Sequence, residues 1–438
     1  MKKKYALIVS GALALVLLVV LLRVFVRKKA DTSEFPRVIL LGIDGAGWNF
    51  INPMIKEGRL PHFKALREEG SYGLLRTFKP TKSPVIWTSI ATGQGMLKHG
   101  VIDWTYVKSN GLQVPYGQSE RRVKAFWNIL TDRHRTVGVI NWFLTYPPEE
   151  VNGFMVSQQF NNVGRADLSG LAVTYPRSLL KALEFAAQKD VQKIYREENL
   201  PDYKKTMGQG KPVFHYPNFV LQDKTVELAA LDLLDRYPVE VFASYFELVD
   251  VVSHFVYRGI DSALLQKARE EEKQTGRLSA ETRQDLDLAY SRLLQPVYGY
   301  ADKILGEFLD RLKPGATLIV CSDHGFIFQD GVYSHYLARD IPHGILLIKG
   351  PHVRKNHEIA EATVLDILPT LLYTIGLPAA QDMDGKVLTD VFDEAYLSRK
   401  PVAFIKSYED GKRRKPSERN SAADEKLLEE FKALGYIK

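Results

Sequence analysis

The sequence predicts an α/β protein, with a mostly parallel central sheet and helices on both faces, set behind an N-terminal transmembrane helix. Three observations point there. Apolar runs that read as buried strands alternate with stretches of helical periodicity, the order expected of strand, helix, strand units. Three of those runs, beginning at Arg37, Val241 and Thr317, stop on an aspartate: Asp44, Asp250 and Asp323. Ahead of them all, the segment from Tyr5 to Leu22 carries no charge.

That first segment is long enough for a bilayer. A spanning helix needs roughly twenty mostly apolar residues, and Val24-Phe25-Val26 extend the run past Arg23 to position 26. A cleavable signal peptide would have a shorter apolar core and a small-residue cleavage site, whereas Arg27-Lys28-Lys29 follow here. Residues 1–29 are therefore expected to form an uncleaved, single-pass anchor with basic flanks. Basic residues on both sides give the positive-inside rule little asymmetry to act on; the reading places the N-terminus inside and the body on the extracytoplasmic side.

The 438 residues carry a formal net charge of +7, which suggests nucleic acid until the charge is located. Seven Lys and Arg residues precede the first acid, Asp31, and positions 399–419 hold eight more against three acids. Residues 30–398 are thus net negative, and no nucleic-acid footprint remains on the body. Cys321 is the only cysteine, so an intrachain disulfide is excluded. Inside an apolar run it is expected to be buried and structural.

After a polar linker, Lys28 to Phe35, the run from Arg37 is the first strand. Leu60 to Gly70 reads as a helix, with Pro61 at its start and Gly70 just past its end. Thr136–Ile140 is a further strand, stopped by Tyr146-Pro147-Pro148. From about 150 to 238 the pattern weakens and an insertion or cap is expected. Ser262 to Leu312 is charged, with helical periodicity in its second half through Leu286, Tyr290, Leu293, Leu294, Val297, Ile304, Leu305 and Phe308; its charges read as a solvated helix face. Gly344–Lys349 is a strand, and Thr363–Ile375 a helix stopped by Gly376 and Pro378. Residues 30–398 make up the body. Residues 399–438 are a basic linker, either loose or lying against anionic lipid, followed by an amphipathic helix, Ala423–Leu434.

Ligands of an open α/β sheet bind outside the carboxyl ends of its strands, so three strand-end aspartates from distant parts of the chain can share one site. Asp250 and His254 are spaced i, i+4, which puts them on one face if the chain turns helical after the strand. Asp323-His324-Gly325 sets two ligand-capable residues beside a glycine, and Asp44-Gly45 repeats the device. Of the two histidines that follow, His335 lies in a loop and is preferred over His343, which touches a strand start. Singly, each aspartate reads more simply as a turn or cap residue, and each histidine as packing. Jointly they are oxygen and imidazole donors without thiolate, the set that zinc or manganese accepts, in about the number two divalent ions need. Ser83 precedes Pro84, which can open a helix. Its hydroxyl would then sit at a positive helix end, where a metal would favour the alkoxide and a phosphate oxygen would be stabilised. Taken alone, Ser83 reads as a helix cap.

On these residues the chain resembles the alkaline phosphatase superfamily, and within it the type I phosphodiesterase and nucleotide pyrophosphatase branch. The matching stretches are Val38–Trp48, Pro80–Gly100 with its Lys98-His99-Gly100, Phe246–His254, Leu318–Phe326, Gly344–Pro351 and Leu365–Gly385 with its Asp384-Gly385. The resemblance implies an alkaline phosphatase-like fold and two divalent ions, zinc with manganese as the alternative. It implies that Asp44, Ser83, Asp323 and His324 hold one ion, and Asp250, His254 and His335 or His343 the other.

Two features depart from the pattern. That branch usually has threonine as nucleophile and asparagine three residues later, but Ser83 is followed by Pro84, Val85 and Ile86, with Thr81 and Thr88 as alternative hydroxyls. The sulfatase signature of nucleophile, x, Pro, x, Arg is absent, because Val85 and Trp87 stand at the Pro and Arg positions. The expectation is a membrane-anchored, metal-dependent phosphoesterase that cleaves a phosphate-ester small molecule or lipid through a phosphoseryl intermediate. Its rivals are a phosphotransferase acting on lipid head groups and a catalytically silent, anchored binding module.

Overall fold

Val38–Ile43 (β1) is an unbroken apolar run buried at every position, as expected of a strand covered on both faces. Its side chains alternate between two cores: Ile39, Leu41 and Ile43 enter one, and Val38 and Leu40 the other. The computed structural model describes residues 36–160, 172–206, 211–336, 339–411, 421–434 and 437.

The central sheet also takes Ser71–Arg76 (β2), Val137–Ile140 (β3), Gly153–Val156 (β4), Thr174–Tyr175 (β5), Val241–Phe246 (β6), Thr317–Cys321 (β7), Gly344–Lys349 (β8), His357–Glu358 (β9) and Ala362–Thr363 (β10). Its order is β9-β2-β8-β7-β1-β6-β3-β4-β5, with β10 beside β2. β1 runs parallel to both β6 and β7, and β3 parallel to β6 and β4. β8 is antiparallel to β7 and β2, and β5 antiparallel to β4. The sheet is mixed but mostly parallel. Ile43 is in register with Phe246, and Gly42 with Cys321, so the carboxyl ends of the three central strands lie level.

Helices cover both faces. Trp48–Lys56 (α1), Pro61–Glu69 (α2), Lys211–Arg236 (α5), Leu248–Ser253 (α6), Ser262–Thr275 (α7) and Ala280–Asp310 (α8) pack on the side of Ile39 and Leu41. Ser83–Thr92 (α3), Phe126–Asp132 (α4) and Ile367–Thr374 (α9) pack on the side of Val38 and Leu40. Gly42 permits one close approach, because a Cβ there would lie 2.6 Å from the Trp87 ring. Gly45 permits another, with a φ of 71° and a would-be Cβ 2.9 Å from the Asp250 Cα.

Several elements differ from the sequence reading. The strand entering Asp250 stops at Phe246, and Asp250 lies inside α6. The reason is a cap: the buried Asp223 carboxylate of α5 accepts hydrogen bonds from Glu247 N and Leu248 N, at 3.1 and 2.9 Å, and turns the chain into a helix. The first half of 262–312 is helical as well. Asp261 caps α7 by accepting from Ala263 N and Leu264 N, Gly276 ends it in the left-handed conformation, and Leu265 and Ala268 bury its inner side. Within 150–238, β4 and β5 extend the sheet, and α5 packs on β6 and α6.

In the tail, Phe404–Ile405 pairs with Ala379–Ala380, so this part of the basic stretch lies against the body. Residues 412–420 fall outside the described residues. The last helix, Ser421–Leu434 (α10), buries Leu427 and Phe431, with Phe431 edge-to-face on Trp104 at 4.7 Å. No helix among the described residues is long and apolar enough to cross a membrane. The expected anchor at residues 1–29 lies outside them.

Candidate metal centre

β1 and β7 each deliver ligands just past their last residue. Asp44 follows Ile43 with its backbone held in the ladder, its N–H donating to Phe246 O at 2.9 Å. Asp323 and His324 follow Cys321 after one residue, Ser322, whose Oγ accepts from Ala46 N at 2.9 Å and ties the two turns together. The resulting group is buried. His324 Nε2 lies 3.3 Å from Asp44 Oδ1 and 3.4 Å from Asp323 Oδ2, and the three donor atoms all lie within 4.8 Å of one another.

A second group of the same span joins Asp250, His254 and His335. Because α6 is helical, the i, i+4 pair does meet: His254 Nε2 is 3.3 Å from Asp250 Oδ2. His335 Nε2 is 3.2 Å from His254 Nε2 and 3.8 Å from Asp250 Oδ1. The groups adjoin, since His324 Nε2 is also 3.8 Å from Asp250 Oδ1.

Ser83 is the first residue of α3, and its neighbours in the chain touch both groups. Two residues before it, Thr81 Oγ donates to His335 O at 2.6 Å; one turn after it, Trp87 Nε1 donates to Asp44 Oδ2 at 3.0 Å. Ser83 does not cap the helix, and its buried Oγ has no hydrogen-bond partner. The alternative hydroxyls are spent elsewhere: Thr81 on His335 O, and Thr88 on Pro84 O at 2.6 Å.

The protonation pattern suits cations. A carbonyl oxygen can only accept, so His324 Nδ1–H donates to Gly325 O and His335 Nδ1–H to Thr81 O, at 3.2 and 2.8 Å. Each histidine therefore turns an unprotonated Nε2 toward the carboxylates, the tautomer that a backbone carbonyl on the other ring nitrogen fixes in metal-ligating imidazoles. Burial lowers His324 to about 4 and His335 well below the usual range, so both rings are neutral. Burial, with the charge of Asp250 added, raises Asp44 to about 7; burial and the Asp44 charge push Asp323 well above its ordinary value. For Asp250 burial pushes upward but is outweighed, chiefly by its charge and hydrogen-bond interaction with His254, and the carboxyl lies below the usual range.

Asp44 Oδ1, both Asp323 oxygens, Ser83 Oγ and His324 Nε2 are buried with no hydrogen-bond partner. Buried polar atoms are rarely left so. The unsatisfied set is made of oxygen and imidazole acceptors, which a divalent cation would satisfy together. The residues present fit such an ion.

Asp44, Asp323 and His324 meet in one group and Asp250, His254 and His335 in the other, Ser83 lies on the segment hydrogen-bonded to both, and His343 is in neither group. His343 faces the other way, its Nδ1 accepting from Thr77 N at 3.1 Å. Two side chains touching the centre escaped the sequence reading. Trp87 lies four residues beyond Ser83, on the same helix face, and Tyr245 is the penultimate residue of β6, so helical and strand periodicity applied outward from Ser83 and Asp250 would have reached both.

Residues 38–369 match the model of a family described as type I phosphodiesterase / nucleotide pyrophosphatase. No curated protein matches the chain. Among solved structures, human ectonucleotide pyrophosphatase / phosphodiesterase 5 is 13% identical, with a TM-score of 0.51, and the match covers 82% of this chain and all of that one, 100%. This likeness is one of fold. BT4656 in complex with its substrate D-glucosamine-2-N,6-O-disulfate is 13% identical with a TM-score of 0.49, over 84% of this chain and 81% of that chain. Phosphonate monoester hydrolase of Agrobacterium radiobacter is 14% identical with a TM-score of 0.46, over 82% and 77%.

Proposed function

The chain belongs to the type I phosphodiesterase and nucleotide pyrophosphatase family and is a hydrolase of phosphoric ester bonds, and from that premise we propose a membrane-anchored, two-metal enzyme that works through a phosphoserine at Ser83. The observation that supports this reading best is the pair of adjoining three-residue ligand groups, both hydrogen-bonded to the segment that carries Ser83, through Trp87 to Asp44 and through Thr81 to His335.

Asp44, Asp323 and His324, with Ser83, would hold one divalent cation, and Asp250, His254 and His335 the other; zinc suits this donor set and manganese is the alternative. Bound there, such ions supply Lewis-acid stabilisation of the phosphoryl oxygens and lower the pKa of a coordinated hydroxyl. The protein's own part is positional. Ser83 Oγ forms a bond to phosphorus while the ester P–O bond breaks, and the departing oxygen takes that electron pair. Water then displaces the phosphoryl group and restores the serine hydroxyl. The amino end of α3 directs its helix dipole at the charge carried through both steps. Ser83 Oγ is hydrogen-bonded to no side-chain base, so its activation falls to the electrostatics of the centre.

The uncharged run Tyr5–Leu22 would hold this centre at a bilayer, with the body on the extracytoplasmic side and a phosphate-ester small molecule or lipid as substrate. The test is direct. Purified protein reloaded with zinc should hydrolyse bis(p-nitrophenyl) phosphate or p-nitrophenyl phosphate, and Ser83→Ala should abolish turnover. Inactivity on both esters, together with an unaffected Ser83→Ala variant on any substrate later identified, would sink the mechanism. Deleting residues 1–29 should move the protein from the membrane fraction to the soluble fraction; retention there would remove the anchor.

A further inference from the structure

Asp44 offers its two oxygens to different neighbours. Oδ2 accepts two hydrogen bonds, from Tyr245 Oη at 2.6 Å and from Trp87 Nε1 at 3.0 Å. Oδ1 receives none and stands 3.3 Å from His324 Nε2. Both donors are locked in place. The buried Trp87 indole packs edge-to-face on Trp142 and Tyr245 at 5.1 and 5.0 Å, and the Tyr245 ring packs on Phe143 at 5.1 Å. Gly42 leaves the space in which the indole lies. Tyr245 Oη–H is the donor in this contact, with the Asp44 carboxylate oxygen accepting.

We infer that Tyr245 and Trp87 are positioning residues for the cation of the Asp44, Asp323 and His324 group: together they occupy Oδ2 and leave Oδ1 as the one oxygen that Asp44 can present. The inference rests on the metal reading above. Without the two donors the carboxylate could rotate or bind through both oxygens. A single-oxygen carboxylate suits a tetrahedral ion such as zinc, whereas calcium takes about six to eight oxygens and often two from one carboxylate. The pair therefore favours zinc over calcium as well as tightening binding.

The experiment titrates zinc, and separately calcium, into metal-free full-length protein against a chromophoric chelator, for wild type, Tyr245→Phe and Trp87→Phe. Tyr245→Phe keeps the ring and its packing, so it carries the test even if Trp87→Phe fails to fold. It should weaken zinc binding by about 10–100-fold, the usual effect of losing an outer-shell partner, and should lower the preference for zinc over calcium. The Trp87 indole N–H resonance, one of five in the sequence, should shift in wild type when zinc is added, a signature that simple core packing would not produce. Unchanged zinc affinity in Tyr245→Phe, or a Trp87 resonance indifferent to zinc, overturns the positioning role while leaving the metal centre standing. Failure of wild type to bind zinc at all overturns both.

Discussion

The imidazoles of His324 and His335 are stacked, their centroids 3.7 Å apart and their planes within 5° of parallel, although one belongs to each ligand group. The stack makes the two groups one structure. Replacing His335 with alanine removes a donor from one group and the ring that supports His324 in the other. The expected result is loss of about one of the two bound cations, with the remaining one held about tenfold more weakly. Elemental analysis after dialysis and a zinc titration check both parts; an unperturbed second site would show the stack to be incidental.

Cation binding at the first group should be coupled to proton release. Asp44 holds its proton up to about pH 7, and Asp323 beyond its ordinary range, because both are buried against other carboxylates. A cation needs the ionised oxygens, so its affinity is lost as pH falls. Below about pH 7 the apparent zinc affinity should drop by at least about tenfold per pH unit, with the raised Asp323 adding to the dependence in the same direction. Zinc isotherms from pH 5.5 to 8.5 would show a flat profile if the carboxyls were already ionised.

Asp223 gives a pH effect remote from the ligands. Burial raises it from the ordinary aspartate range to about 7. Between those values the folded protein holds a proton that the unfolded chain has released. The associated stability is present at low pH and disappears as pH rises through about 7. The Tm advantage of wild type over Asp223→Asn should therefore grow as pH is lowered from 8 to 5. A difference that shrinks on acidification would show the carboxyl to be ionised in the folded state.

Ser83→Ala should lower kcat by at least about a thousandfold while most of the bound metal remains, since the aspartates and histidines are untouched. Ser83→Thr keeps a hydroxyl and should recover a substantial part of the rate. Equal activity in all three proteins would place the nucleophile elsewhere.

Gly42→Ala tests the space beside β1. Its new methyl would fall 2.6 Å from the Trp87 ring, and overpacking of this kind costs about 1–3 kcal/mol. Urea denaturation measures that cost. A neutral substitution would show that the indole has room to retreat.

Much of this was legible in the sequence, and for identifiable reasons. β1, β6 and β7 announce themselves because a strand buried on both faces must be apolar at almost every position, and the polar residue that ends such a run stands out. Asp44, Asp323 and His324 were found in that way. Asp250 was found for a partly mistaken reason: the strand ends four residues earlier, and the cap that starts α6 comes from Asp223, a residue no local pattern could connect to it. The choice between His335 and His343 turned on loop placement alone, whereas the structure separates them by what their ring nitrogens face. Tyr245 and Trp87 read as ordinary aromatic core residues until their polar atoms are seen on Asp44. The helical first half of 262–312 was missed because its high charge obscured the few buried positions, Leu265 and Ala268.

The bond between Ala46 N and Ser322 Oγ joins positions 276 apart in the chain, and β1, formed early in the sequence, pairs with strands as distant as Val241–Phe246 (β6) and Thr317–Cys321 (β7). Such high contact order makes the centre a late product of folding. While the chain is being synthesised, Asp44 can meet Trp87 and Tyr245 but not Asp323 or His324 until the segment after Thr317 has emerged. No proteolytic fragment that stops short of β7 can carry Asp323 and His324.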